Sequence, residues 1–218
     1  MHFEILVEDA SGKIALENII EEILGPNGQP HSSRIIPYKG IGHLPRDLQG
    51  KTDPRKRILL DRLPSILQGY GKSLQSSSAA VVVVVDLDEK DCRIFKQELL
   101  DVLNVCLVAP TTLFRIAIEE SEAWLLGDRN AVVEAYPNAR ANVLDSYIQD
   151  SICGTWEILA DAIYPGGSAA LKKAGWPITG VAKSEWAKKI TPHMDVDSNL
   201  SPSFKVFRDG LRRLAGMK

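Results

Sequence analysis

An uninterrupted run of valines, Val81–Val85, is the strongest feature of the hydrophobic pattern. Because the run does not alternate apolar with polar positions, it predicts a strand buried on both faces, as at the centre of a parallel sheet. Two shorter segments, Phe3–Val7 and Arg34–Tyr38, predict strands before it in the chain. Cys106–Ala109 and Arg115–Ile118 predict extended segments after it.

Helical periodicity separates these strands. Apolar residues at helical spacing predict a helix that starts at Ser11 and ends before Gly25-Pro26. A second helix is predicted to open at Asp53-Pro54, with a kink at Pro64, and a third spans Glu89–Asn104. Strand–helix alternation of this kind predicts an α/β fold with a mostly parallel sheet flanked by helices.

Beyond Glu119 the pattern predicts helices only, starting near Ser121, Trp156, Ala182 and Ser203. Glycines and prolines separate these segments. We therefore expect an α/β core over residues 1–127 and a helical extension over 128–218 that packs on the core.

The composition is that of an ordinary globular protein, with 44% hydrophobic and 25% charged residues in a chain of 218. The net charge of −2 gives no general attraction to nucleic acid, so contact with a polyanion requires a local basic patch. Three widely spaced cysteines without a CxxC motif are typical of free thiols in a reducing cytosol. No signal peptide or membrane span is apparent, and we expect a cytoplasmic protein without a membrane partner.

Two acids directly follow the valine run. Asp86 and Asp88 are spaced i, i+2, so on an extended chain both side chains project from the same face. They fall at the carboxyl end of a predicted parallel strand, where ligands bind in open α/β sheets. A hard divalent cation, Mg²⁺ or Mn²⁺, would relieve their mutual repulsion. The alternative is a strand end capped by solvated acids.

A glutamate after the first strand, Glu8, together with a later Asp-x-Asp resembles the signature of the Toprim domain, which implies a Rossmann-like sheet. The chain looks like a family of stand-alone Toprim-like proteins of unknown function, related to nucleases of the overcoming-lysogenization-defect type. The matching segments span nearly the whole chain: Leu6-Val7-Glu8, Lys39-Gly40, Asp86-Leu87-Asp88, Glu122–Leu126 with Asp128, and Ser201–Phe204.

The chain also departs from the family pattern at two positions. Asp9 stands where Toprim proteins have a glycine after the glutamate, and Gly12 stands where the related proteins tend to carry an acid. A second-metal ligand is therefore missing or supplied by Asp9.

The resemblance implies metal-dependent cleavage of phosphodiester bonds in DNA or RNA. Asp86 and Asp88 would hold Mg²⁺, which neutralises the scissile phosphate and orients the attacking water. Glu8 would act as a general acid–base or as a further ligand, and the sequence does not separate these roles.

Four further residues are candidates for the same site. Glu122, and after it Glu119, could complete a second metal position, although acids near a helix N-terminus are also favoured by the helix dipole. A phosphate under attack also requires a cation, for which Lys39 is the first candidate and Lys183 the second. For either lysine the alternative is a solvated surface charge.

Two other classes of function stay open. The chain could be a catalytically degenerate Toprim subunit that serves as a scaffold for an ATPase, with Asp9 marking the loss of activity. A haloacid-dehalogenase-like phosphatase also places Asp-x-Asp at a strand end, but there the motif normally opens the chain. The resemblance implies nucleic acid and an ATPase as partners in phage defence or DNA repair. A homodimer is a further option.

Overall fold

The fold is an all-parallel sheet with helices on both faces. The computed structural model describes residues 1–45, 55–75 and 77–217. In this part of the chain the strands are β1 (His2–Val7), β2 (Ser32–Pro37), β3 (Ala79–Asp86) and β4 (Thr112–Ala117). They form one sheet in the order β2-β1-β3-β4, and every neighbouring pair is parallel. The predicted α/β fold class is thus confirmed.

The valine run is the central part of β3 and is buried on both sides, as predicted. Val82 and Val84 belong to a core shared with α1 and the C-terminal helices. Val81, Val83 and Val85 belong to a second core on the opposite face, shared with α2 and α3. Alternate residues of one strand therefore stabilise two separate layers, which is why no polar position interrupts the run.

Three helices connect the strands, and the helices after β4 follow one another without a further strand in the described residues. The connecting helices are α1 (Ala10–Leu24), α2 (Leu59–Ser73) and α3 (Cys92–Asn104). The later helices are α4 (Glu122–Leu126), α5 (Arg129–Ala135), α6 (Ala141–Ser146), α7 (Thr155–Ile163), α8 (Gly167–Ala174), α9 (Trp176–Ile190) and α10 (Pro202–Ala215).

One predicted extended segment is wrong. Cys106–Ala109 forms no strand, because the Cys106 N–H donates to the carbonyl of Leu103 (3.2 Å) and continues the turn that ends α3. The segment then packs against α2. A Cβ at Gly71 would lie only 1.7 Å from the Val108 carbonyl oxygen, so glycine permits this close approach.

Two predicted helix starts differ from the structure: the helix expected from Ala182 begins at Trp176, and the third helix begins later than expected. The predicted start at Asp53-Pro54 lies outside the described residues, and the described part of α2 begins at Leu59, with Pro64 inside the helix. The third helix begins at Cys92 and not at Glu89. Asp91 caps it by accepting hydrogen bonds from two backbone N–H groups of its first turn.

Two features of this fold matter for the site. The carboxyl ends of β1, β3 and β4 meet at one edge of the sheet because all strands run in the same direction. Helix α9 packs along α1 and so brings a distant part of the chain to this edge. No helix in residues 1–45, 55–75 or 77–217 has the length and apolar character needed to cross a bilayer.

Candidate functional site

Glu8, the residue after β1, has a buried carboxylate oxygen that lacks a partner. Its Oε2 accepts no hydrogen bond within the described residues. Burial, followed by the negative charges of Asp88 and Asp9, raises the pKa of Glu8 to about 7, although Lys183 acts in the opposite direction. The sheet edge therefore holds a carboxylate whose ionised form is poorly stabilised by the protein.

Asp86, the last residue of β3, lies beside Glu8 in the same cluster. Burial and then the charge of Glu8 raise the pKa of Asp86 well above its usual range. Asp88, in contrast, is exposed and has a φ of 51°, in the left-handed region. The extended geometry that would align two side chains on one face therefore ends at Asp86. Asp88 as a metal ligand stays a prediction, and its charge still acts on Glu8.

Lys183, from α9, supplies a nearly buried positive charge to this cluster. Its side chain is 12% exposed, and its Nζ lies 3.1 Å from Oε2 of Glu122 and 3.7 Å from Oε1 of Glu120. Burial alone would lower the pKa of Lys183, but the charges of Glu122, Glu120 and Asp86 raise it above its ordinary value. The lysine is therefore held in its charged form.

Glu120 and Glu122 face the lysine from the segment after β4. Glu122 opens α4 and its side chain is 3% exposed, so its ion pair with Lys183 is shielded from water. Burial raises the pKa of Glu120 to about 7 despite the opposing effect of Lys183. We define the carboxylate cluster as Glu8, Asp86, Glu120 and Glu122, with Lys183 as its cation.

Glu119 has a different role in the structure. Its carboxylate accepts backbone hydrogen bonds from Cys153 (3.1 Å), Gly154 (2.8 Å) and Thr155 (2.9 Å), and another from the Thr155 hydroxyl. Burial opposes ionisation, but these hydrogen bonds lower the pKa of Glu119 overall. Its oxygens cap the N-terminus of α7. This geometry agrees with the alternative to a metal ligand, an acid favoured by a helix dipole. As a metal ligand Glu119 stays a prediction.

The two candidate lysines are placed differently. Lys39 follows β2 at the same sheet edge, and its backbone N–H donates to Arg57 (2.9 Å), but its side chain forms no ion pair in the described ranges. Lys183 lies in the cluster instead. Sequence reasoning ranked Lys183 second because it lies about sixty residues beyond β4 with no local motif, and it did not select Glu120. The glutamate-rich segment after β4 was the available signal for Glu120.

The departures at Asp9 and Gly12 have a structural explanation. Asp9 has an extended backbone (φ −146°) and caps α1, where its Oδ1 accepts from the Gly12 N–H at 2.8 Å. No glycine is needed at position 9 for this turn. A Cβ at Gly12 would lie 2.6 Å from Cγ2 of Val7, so an acid there would require the chain to shift. The Asp9 side chain is therefore engaged as a helix cap.

Whether the cluster suits a divalent cation depends on its donors. Within the described residues, no group of three or more histidine, cysteine and acidic side chains is arranged to hold a metal ion. Mg²⁺, however, is commonly held by one or two carboxylates together with waters and substrate phosphates. Glu8 and Asp86 provide two such hard donors, and Oε2 of Glu8 is free to coordinate. The residues present fit Mg²⁺ with two protein ligands.

The comparisons with known proteins place the chain in a family without assigning it a function. Residues 7–212 match the model of a family described as a domain of unknown function (DUF4276), and the chain belongs to this family. No curated protein matches the sequence. No solved structure matches it either.

Proposed function

We propose that this protein is a Mg²⁺-dependent phosphodiester hydrolase of the Toprim type that cleaves nucleic acid at the carboxylate cluster. The observation that carries the proposal is the pair formed by Glu8 and Asp86. Both carboxylates lie at the carboxyl edge of a parallel sheet, both have raised pKa values, and one has a buried oxygen without a partner. Buried carboxylates whose ionised form is unfavourable are typical of sites that bind a ligand.

Glu8 and Asp86 would hold the cation, which would neutralise the scissile phosphate and orient water for attack. In the alternative arrangement, where Asp86 alone holds the cation, the raised pKa of Glu8, about 7, suits a group that takes up and releases a proton near neutral pH. Lys183 keeps its positive charge and stands beside the same cluster, so it can pair with a phosphate oxygen. Lys39, at the end of β2, is the second candidate for this contact.

The test is a cleavage assay on supercoiled plasmid, single-stranded DNA and RNA with Mg²⁺ or Mn²⁺. Wild-type protein should cleave at least one polymer and lose this activity in EDTA. Glu8→Gln and Asp86→Asn should each reduce the rate by about 100-fold or more, the range expected for a lost acid–base group or ligand.

Glu4→Gln is the matched control, because Glu4 is a carboxylate within β1 at the opposite end of the sheet. Its cleavage rate should equal that of the wild type. Equal rates in wild type, Glu8→Gln and Asp86→Asn would contradict the proposal, as would cleavage that EDTA does not reduce.

A second candidate is the degenerate scaffold that docks onto an ATPase. The observation that favours it is Lys183, whose ammonium group already neutralises part of the cluster. In this case calorimetric titration would show no Mg²⁺ binding to the folded protein, and every polymer would stay intact. A haloacid-dehalogenase-like phosphatase would instead hydrolyse p-nitrophenyl phosphate and leave polymers untouched.

The substrate, partner, compartment and biological process of the proposed activity are also proposals. Nucleic acid is the proposed substrate, an ATPase the proposed partner, and the cytoplasm the proposed compartment, with phage defence or DNA repair as the process. Homodimerisation is a further proposal that a sedimentation measurement can test. These proposals depend on the Toprim resemblance and on the three free cysteines.

A further inference from the structure

A tryptophan beside the carboxylate cluster is largely exposed, in contrast to the other three tryptophans of the chain. Trp176 opens α9 and is 70% exposed, whereas Trp124, Trp156 and Trp186 are buried. Core packing therefore explains three of the four and leaves Trp176 without a structural reason for its exposure. Exposed tryptophans are enriched where proteins bind ligands or partners, so Trp176 is a candidate for such a contact.

Two further residues, Trp156 and Glu120, connect Trp176 to Lys183. The Trp176 ring lies 6.1 Å from the ring of Trp156, centroid to centroid. The backbone N–H of Trp156 donates to Oε2 of Glu120 at 3.3 Å. Glu120 in turn lies 3.7 Å from Lys183. The exposed ring therefore packs on Trp156, whose backbone contacts the Glu120 end of the carboxylate cluster.

The geometry of helix α9 also relates Trp176 to Lys183. Lys183 lies seven residues after Trp176, which is close to two helical turns, so both residues share a helix face about 10 Å apart. Gly180 lies between them on this face, and a Cβ there would meet no atom within 4 Å, so the surface between ring and lysine is open. A nucleotide or two would span this distance.

Lysines are frequent in this region, although Lys172, Lys183 and Lys189 form ion pairs with glutamates. Helices α8 and α9 together carry five lysines and one glutamate, although the whole chain has a net charge of −2. Lys172 lies 5.7 Å from the ring of Trp156 and forms an ion pair with Glu157 (3.2 Å), and Lys173 follows it at the end of α8. Aromatic rings among positive charges are typical of surfaces that bind single strands.

We propose that Trp176 stacks on a base of single-stranded nucleic acid and so guides the strand toward the carboxylate cluster. This inference deepens the proposed hydrolase and rests on it for the choice of substrate. Base stacking on an aromatic ring tolerates any sequence, since every base presents a π face. The protein should accordingly prefer single strands, or frayed ends, over intact duplex.

The test measures binding without cleavage, by fluorescence anisotropy of a labelled thymidine 12-mer in EDTA. A 12-mer of abasic sites carries the same phosphates without bases and serves as the second probe. Wild-type protein should bind the thymidine strand more tightly. Trp176→Ala should weaken that binding roughly 5- to 150-fold and leave the abasic strand unchanged. Trp176→Phe should retain most of the affinity.

Val181→Ala is the control for the neighbouring apolar surface, because Val181 is 66% exposed on the same helix. It should bind both strands as wild type does. Equal wild-type affinity for the two probes, an equal loss for both probes in Trp176→Ala, or no binding by folded protein would each overturn the inference. A change in self-association in Trp176→Ala with unchanged strand binding would also overturn it and identify a protein interface.

The outcome is independent of the cleavage assay. Stacking without cleavage would contradict the hydrolase and keep the role of Trp176. Cleavage that depends on Glu8, combined with base-independent binding, would keep the hydrolase and exclude this role.

Discussion

Two glutamates, Glu4 within β1 and Glu8 directly after it, have opposite environments. Oε2 of Glu4 lies 2.9 Å from Nε of Arg34 and accepts from the Tyr70 hydroxyl at 3.1 Å, while Oε1 lies 3.2 Å from Nε2 of His2. Burial opposes its ionisation, but these contacts lower the pKa of Glu4 overall. Glu8 has a buried oxygen without a partner, and its pKa is raised to about 7.

The two glutamates show that a buried acid can have two different roles. At the amino end of the sheet, each oxygen of Glu4 has a partner and the acid stabilises the junction of β1 and β2. At the carboxyl end, the fold keeps Glu8 and Asp86 close together although both are destabilised when ionised. Such a conflict persists where function requires it. The comparison therefore supports Glu8 and Asp86 as the candidate site without reference to any motif.

Removal of the cation beside each glutamate, Lys183 or Arg34, should give the largest difference in stability between the two ends of the sheet. Lys183→Met should lower the free energy of unfolding by about 3–5 kcal/mol, because it leaves buried carboxylates without their cation. Arg34→Met is the matched change at the other end. Arg34 is 62% exposed, so its ion pair should contribute only about 1 kcal/mol or less. Urea unfolding at pH 7 measures the free energy of unfolding of both variants. Equal losses of stability would contradict the distinction between the two ends of the sheet.

The pH dependence of stability should change sign between the two glutamates. The pKa of Glu8 rises from 4.5 to about 7 on folding, so between these values the folded state binds more protons and its stability falls as pH rises. Glu8→Gln removes this fall. Its advantage over wild type should grow from near zero at pH 4 to at most about 3 kcal/mol at pH 8.

Urea unfolding from pH 4 to 8 gives this difference curve. Glu120 has a pKa raised to about 7 and stays in both proteins, so the difference curve reports on Glu8 together with its effect on Asp86. For Glu4 the sign is opposite. Its pKa is lowered, so its contribution is present above pH 4.5 and is lost as pH falls. A flat difference curve for Glu8→Gln would contradict the assignment.

Mg²⁺ should stabilise the protein through one end of the sheet only. At a concentration of 100 Kd, a ligand that binds only the folded state adds about 2.7 kcal/mol to the free energy of unfolding. Wild type and Glu4→Gln should show this gain in thermal unfolding, and Asp86→Asn should lose most of it. Ca²⁺ and Na⁺ at matched ionic strength distinguish binding from screening. A gain that persists in Asp86→Asn would place the cation elsewhere.

A smaller effect than that of Lys183→Met should come from Glu4 itself. Glu4→Gln keeps the shape of the side chain but removes its charge, which weakens the contacts with Arg34 and His2. We expect a loss of about 1–2 kcal/mol at pH 7, the usual range for hydrogen bonds to a charged group. Chemical denaturation measures it, and a gain in stability would show that Glu4 too is under strain.

Most of the sheet could be predicted because its signals are local. Val81–Val85 indicates a doubly buried strand wherever it lies in the sequence, and Glu8 and Asp86 follow strands directly. Cys106–Ala109 is as apolar as a strand, but its place was decided by α2, through the close approach of Val108 to Gly71. Such tertiary contacts leave no trace in periodicity.

The site was predicted only in part for a related reason. The spacing of Asp86 and Asp88 indicates a shared face only if the strand continues, and the left-handed turn at Asp88 ends it. Glu119 and Glu120 are identical neighbours in sequence. Their different roles are set by α7, whose N-terminus takes Glu119 as a cap, whereas Glu120 accepts from the Trp156 N–H and also pairs with Lys183. The packing of α9 on α1 decides which lysine enters the cluster.

That packing has a consequence for how the protein is made. During translation, the strands emerge from the ribosome well before Lys183 does, and so do the acids Glu8, Asp86, Glu120 and Glu122. Until α9 docks on α1, the nascent chain holds the cluster without its cation, and repulsion opposes closure of the sheet edge. The final arrangement of this edge therefore depends on the docking of α9, and a chain cut after Gly127 would lack the charge that closes it.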